Sequence, residues 1–134
     1  MSNYVPTVQK LYQLFGEGNI AALFEHFADD IVWKDSGAPF FELPSDTISG
    51  KVAVGGFFEK LGQYMDFKEF NPTVFFGEGN MVCVQGNDQY TDKRTGKSGS
   101  GSWAMVWTFG NDGKVKKFEG YGDTYQIAKT SGKI

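Results

Sequence analysis

The chain has one cysteine, Cys83, one histidine, His26, and one arginine, Arg94. A single thiol excludes an intramolecular disulfide, and a Cys/His zinc site would run out of ligands. Phosphate and nucleic-acid sites lean on arginine forks and basic patches, so one arginine in a chain of net charge −3 argues against a nucleic-acid partner. No apolar run approaches membrane length, and Met1-Ser2-Asn3-Tyr4 places no basic stretch ahead of a hydrophobic one. No membrane partner and a cytoplasmic location are the expectations. What the chain has in plenty is aromatic side chains. Phe, Trp and Tyr make up 16% of it, with thirteen Phe, which suggests a core or cavity walled by rings. Its 134 residues are enough for one domain with a real core.

Hydrophobic periodicity predicts three helices followed by a run of strands, an α+β order. The first helix is expected over Val5–Phe15, with Val8, Leu11, Tyr12 and Phe15 as its apolar stripe. The second is expected from Ile20 to Phe27, with Asn19 as its N-cap. A strand, Ile31–Asp35, follows, and period two puts Ile31, Trp33 and Asp35 on one face. The long connection Ser36–Ser49 carries Phe40, Phe41 and Leu43, as expected of a loop folded back over something. A third helix, Lys51–Tyr64, shows Val54, Phe57, Phe58 and Leu61 on one side. Its Gly55-Gly56 pair suggests close packing, the commoner explanation, or a mobile helix.

From Phe67 the period changes to two. Strands are expected over Phe67–Phe76, Met81–Tyr90, Ser98–Phe109 and Lys114–Gly122, joined by hairpin-type connections into an antiparallel meander. In the third of them Trp103, Met105, Trp107 and Phe109 share one face, while Ala104, Val106 and Thr108 share the other. A sheet apolar on both sides must cover both. Helices cover one. A second copy is the simplest cover for the outer face, so a homodimer is expected.

This order of elements resembles the nuclear-transport-factor-2-like superfamily and, within it, the SnoaL-like and ketosteroid-isomerase-related proteins. The likeness runs from about Tyr4 to Ala128. It is carried by Asn19 to Asp35, Ser49-Gly50-Lys51, Thr95-Gly96-Lys97, Asn111-Asp112-Gly113-Lys114-Val115 and Tyr121-Gly122-Asp123-Thr124. It implies a single cone-shaped domain over residues 1–134, in which helices and a curved sheet enclose an apolar pocket. Asp35 falls where ketosteroid isomerases place their general base. Their oxyanion-hole tyrosine falls on Leu11, with Tyr12 one step off, and their protonated aspartic acid falls on Met105. Two of three parts are missing, so steroid isomerisation is not expected. Epoxide hydrolases of this fold use an Asp-Arg-Asp set, and Arg94 sits in a predicted turn. On the last strand Phe118, Gly120 and Gly122 share the inward face; a one-residue slip would bring Asp123 in instead.

Asp35 is the candidate catalytic residue. A carboxylate facing an apolar cavity is a stronger base, while the same acid before Ser36-Gly37 could simply cap a turn. Trp33, Trp103 and Trp107 are candidate cavity walls for a flat or terpenoid-like molecule, joined by Phe58, Met105 and Phe118. Tyr12 and Tyr121 are candidate donors, or partly exposed amphipathic residues. Gln85 and Asn87, in phase with Gln89, Met81 and Cys83, are either inward polar pegs or solvated positions. His26 reads as a flanking residue, Cys83 as a buried thiol, and Glu78, Lys93, Arg94 and Lys97 as solvated turn charges. The function expected is binding of a small, mostly apolar organic molecule. Isomerase, cyclase or lyase chemistry would use Asp35 as base and Gln85 or Asn87 as polarising group. A non-catalytic dimeric binding or stress-associated domain is the competing reading. No cofactor or metal is implied.

Overall fold

A computed structural model describes residues 2–134. Helices α1 (Val5–Gly16) and α2 (Ile20–Phe24) lead into strand β1 (Phe27–Asp35), a 3-10 turn (Ala38–Phe41) and strand β2 (Thr47–Ser49). Helix α3 (Lys51–Tyr64) is followed by β3 (Met65–Glu78), β4 (Met81–Asp92), β5 (Ser98–Phe109), β6 (Val115–Tyr121) and helix α4 (Thr124–Thr130). The sheet order is β2-β1-β6-β5-β4-β3. The four late strands form the expected antiparallel meander, and β1 adds to it parallel to β6. The result is the α+β cone.

Three local departures have physical causes. The second helix stops at Phe24, not Phe27, although Asn19 Oδ1 does accept from the Ala22 N–H at 3.2 Å. Phe27 pairs with Val115, and the Val115 N–H donates to the His26 carbonyl at 2.8 Å. Tertiary pairing thus takes backbone that the apolar spacing assigned to the helix. The Ser36–Ser49 stretch is not a plain loop, because Thr47–Ser49 pairs antiparallel with Val32–Lys34. A fourth helix follows Tyr121-Gly122, started by Asp123, whose Oδ1 accepts from the Gln126 N–H at 3.1 Å.

The core lies between the helices and the concave face of the sheet. Val8, Leu11 and Leu14 of α1 and Val54 and Phe57 of α3 meet Ile31, Val82, Val84, Phe109 and Val115. Tyr12 and Phe15 are half-buried at the edge of this core. The glycines of α3 are not crowded. A Cβ on Gly55 would lie 3.7 Å from Phe24 Cε2, and one on Gly56 would meet nothing within 4 Å. Nothing in the structure explains the pair.

Arg94 is more than a solvated turn charge. Its Nε donates to Asp92 Oδ1 at 3.1 Å and its Nη2 to Asp92 Oδ2 at 2.9 Å, while its guanidinium lies 4.3 Å from the Tyr64 ring centroid. Asp92 is only 1% exposed, so the pair ties the β4–β5 turn to the end of α3. Cys83 is half-buried on the outer face of β4, not in the core, and burial pushes its thiol pKa up.

One close approach sets the position of a cavity wall. The benzo ring of Trp103 lies directly over Gly86, with Cη2 2.6 Å from where a Cβ would stand and the Asn71 carbonyl 2.5 Å away on the other side. Neither neighbour can yield, since one is backbone and the other a stacked ring. Gly86→Ala is therefore expected to cost about 3 kcal/mol of stability, read as a lowered midpoint in urea unfolding.

Candidate functional site: an aromatic cavity with two carboxylates

A cavity of about 130 Å³ lies between α1, α3 and the concave face. Drug-sized ligands take roughly 300–1,000 Å³. A space nearer 150 Å³ holds about one benzene ring. The cavity as it stands therefore accepts a single-ring molecule without rearrangement. Its lining includes Gly120, Tyr121 and Gly122 at the end of β6.

The walls are built by strand alternation. On β1, Trp33 and Asp35 both line the cavity, as period two requires. Trp33 stacks on Phe118 of β6 with centroids 3.8 Å apart and planes 18° from parallel. Trp103, Met105 and Trp107 line it from β5, and Tyr12 and Phe58 from α1 and α3. Trp103, Tyr12 and Phe70 form a cluster of three near-parallel rings, with Trp103 centroid distances of 5.8 Å to Tyr12 and 4.9 Å to Phe70 and 6.3 Å between Tyr12 and Phe70. The Trp107 Nε1–H donates to Tyr12 Oη at 3.0 Å, and the Tyr12 hydroxyl donates to Met105 Sδ at 3.1 Å. Burial keeps Tyr12 a neutral phenol well above its ordinary pKa, against the opposing effect of the Trp107 hydrogen bond.

Asp35 both lines the cavity and caps a turn. Its Oδ1 accepts from the Gly37 N–H at 2.8 Å, an Asx-type turn, while Oδ2 lies 3.3 Å from where a Gly120 Cβ would be. Burial raises its pKa to about 6, partly opposed by the Gly37 hydrogen bond. Among the described residues no Lys, Arg or His lies within ion-pair distance of it.

Gln85 and Asn87 are not in the cavity. Both are exposed on the outer face with Gln89, bordering an open hollow with Thr73, Ser102 and Tyr121. Asn87 Oδ1 accepts from Asn71 Nδ2 at 3.1 Å. The reason is register: Val82, Val84, Gly86, Asp88 and Tyr90 take the inner positions of β4, so the residues between them turn out. The same register brings in Asp88, a cavity residue absent from the sequence-based set. Its signal was present, since Asp88 is in phase with the two buried valines. Burial raises its pKa to about 6, opposed by the Gly101 backbone N–H. Asp123 stays outside as the cap of α4, so no register slip occurs on β6. Among the described residues no three His, Cys, Asp or Glu side chains converge as metal ligands would.

A carboxylic acid with a pKa above its unfolded value holds more protons in the folded state, so ionisation destabilises the fold. Stability should fall as pH rises from about 4 to about 6, through the window between the ordinary aspartate value and that of Asp35. Asp35→Asn keeps the Oδ1 cap and removes the charge. At pH 7.5 it is expected to raise stability by about 2 kcal/mol, with the gain vanishing below about pH 4, in urea titrations across pH.

Comparison with known proteins places this geometry. No functionally curated protein matches the chain. Among solved structures, it is similar to an NTF2-like protein of unknown function from Burkholderia pseudomallei K96243, at 25% identity and a TM-score of 0.85, covering 97% of this chain and 98% of that one. An NTF2-like protein from Burkholderia thailandensis E264 is 26% identical with a TM-score of 0.84, again covering 97% and 98%. TerC, co-crystallised with polyporic acid, shares the fold at 19% identity and a TM-score of 0.81, covering 98% and 99%. The sequence profile of the SnoaL-like domain matches residues 8–118, most of the chain and every cavity-lining strand up to Phe118. The chain belongs to the SnoaL-like domain family.

Proposed function

We propose that this protein binds a small, mostly apolar organic molecule in the aromatic cavity. There Asp35 acts as general base in proton transfer next to a carbonyl, in isomerase-, cyclase- or lyase-type chemistry. The observation that carries this reading is an unpaired carboxylate, raised to a pKa of about 6, set in the wall of a ring-lined cavity. A base of that pKa is mostly ionised at neutral pH yet stronger than a solvated aspartate. The rings exclude water, which strengthens every electrostatic contact inside. With Gln85 and Asn87 turned outward, polarisation of the carbonyl falls to donors on the inner face. That TerC was co-crystallised with polyporic acid is in keeping with a ligand-holding role.

Deuterium wash-in beside the carbonyl of 2-cyclohexenone, followed by NMR in D2O, tests the base. The rate is expected to rise with pH through about 6 and level off, and Asp35→Asn should lower it by about 10² or more. Binding of the probe with no exchange above the Asp35→Asn background would favour the non-catalytic binding domain instead.

We further propose a homodimer through the outer sheet face. Val74, Phe76, Met81 and Tyr121 are between 42% and 53% exposed. Phe76 lies opposite Cys83, Cys83 opposite Val106, and Ala104 opposite Tyr121, which groups apolar side chains on this face around Gln85 and Glu119. Sedimentation at micromolar concentration should give about twice the chain mass, and Phe76→Asp should shift it to the monomer. A wild-type monomer at that concentration would end the proposal.

A further inference from the structure

The charge of the cavity lining is one-sided. Asp35 and Asp88 are its carboxylates, and it contains no Lys, Arg or His. Among the described residues neither acid forms an ion pair with a cation from elsewhere. Each is half-buried, so neither is sealed inside the wall. With pKa values raised to about 6 by burial, both are mainly ionised at neutral pH. A carboxylate held partly out of water without a cation lowers stability, and a bound positive charge relieves that penalty. The negative field extends along the wall. Burial raises the phenol pKa of Tyr90, another lining residue, and the charges of Asp88, Asp123 and Asp92 raise it further against its Thr130 hydrogen bond.

The other polar side chains of the lining are engaged or out of reach. The Trp107 N–H donates to the Tyr12 hydroxyl, which donates to Met105 Sδ. The Tyr121 hydroxyl donates to Glu119 at 2.8 Å, and Thr130 Oγ1 lies 3.4 Å from the Tyr90 hydroxyl. The indole N–H groups of Trp33 and Trp103 have no hydrogen-bond partner among the described residues, and burial leaves them no surface to offer a ligand. The two carboxylates therefore set the polar chemistry of whatever enters. An anion would meet two like charges. A hydrocarbon would leave both acids without a partner.

Rings complete a site for a cation at the Asp88 end. Asp88 pairs with Phe70 of β3 and with Gly101 of β5. The next inward residues of β4 and β5 are Tyr90 and Trp103, and both line the cavity with Phe70. An aromatic face attracts an ammonium group, more strongly where water is excluded. The volume of about 130 Å³ has room for one ring beside it.

Resting on the reading of the cavity as a ligand site with Asp35 as base, we infer that it takes a single-ring organic amine in its protonated form, the ammonium paired with Asp88 among the rings of Phe70, Tyr90 and Trp103. Asp88 is then a ligand-binding residue, and Asp35 stays free to take the proton. A nearby positive charge favours the deprotonated form of an acid, so an ammonium close to the carbonyl makes the carbon-bound proton easier for Asp35 to remove.

Benzylamine, benzyl alcohol and toluene share one ring and differ in charge and polarity. Each is titrated into the protein at pH 7.5 and low salt, and the indole N–H NMR signals of the cavity tryptophans report its affinity. Benzylamine is expected to bind about tenfold tighter than benzyl alcohol. Asp88→Asn should remove that advantage while leaving the affinities for benzyl alcohol and toluene unchanged, which also shows that the cavity is intact. Asp35→Asn should weaken benzylamine by no more than about threefold. Benzylamine binding no tighter than benzyl alcohol would overturn the amine assignment and leave the ligand cavity standing. A loss at least as large in Asp35→Asn as in Asp88→Asn would overturn the role of Asp88. Failure of all three probes to bind would overturn the cavity reading, and this inference with it.

Discussion

Three of the large rings on the concave face of this sheet lie against a position that gives up its side chain. Trp103 lies over Gly86, and the Phe118 ring lies over Gly120, its Cε1 2.9 Å from where a Cβ would stand. Tyr90 leans on Gly99, its hydroxyl 3.0 Å from the corresponding point. Glycine weakens a strand by itself, but here each one accepts the face of a ring from a neighbouring position. The pairing lets a curved sheet carry tryptophans inward without splaying its strands. It also leaves a residual space between the rings rather than a filled core, and that space is the cavity.

The same constraint governs the chemistry. Gly37 and Gly120 let the Asp35 carboxylate lie close to backbone, its oxygens each 3.3 Å from where a Cβ would stand. Burial raises both pKa values to about 6, a backbone N–H partly opposes the rise at each acid, and among the described residues no cation pairs with either. Two weakly solvated acids in an aromatic wall make an environment in which proton affinity is set by packing. The sole arginine is committed elsewhere, to Asp92 and the Tyr64 ring, which keeps positive charge out of the cavity.

Membership of the SnoaL-like family places the fold and leaves the chemistry to be read from the site. In this chain the position where a ketosteroid isomerase would carry its protonated aspartic acid holds Met105, whose sulfur takes the Tyr12 hydroxyl. A small cavity with two acids in its aromatic wall describes a different polar pattern from that isomerase.

Much of the fold was legible in the sequence. Period two in β5 placed Trp103, Met105 and Trp107 together, the Ile31–Asp35 alternation put an acid beside a tryptophan, and apolar spacing located α1 and α3 closely. These features are local, because strand and helix periods alone decide which side chains share a face. The sequence left open which face of β4 is inner, and only packing against β3 and β5 decided it, trading Gln85 and Asn87 for Asp88. It carried α2 on to Phe27 and left open where β1 pairs, since β6, far along the chain, claims the backbone at His26 and Phe27. Cavity size and the unpartnered indole groups depend on how rings from five strands and two helices fit together, a sum of distant contacts that no local pattern records.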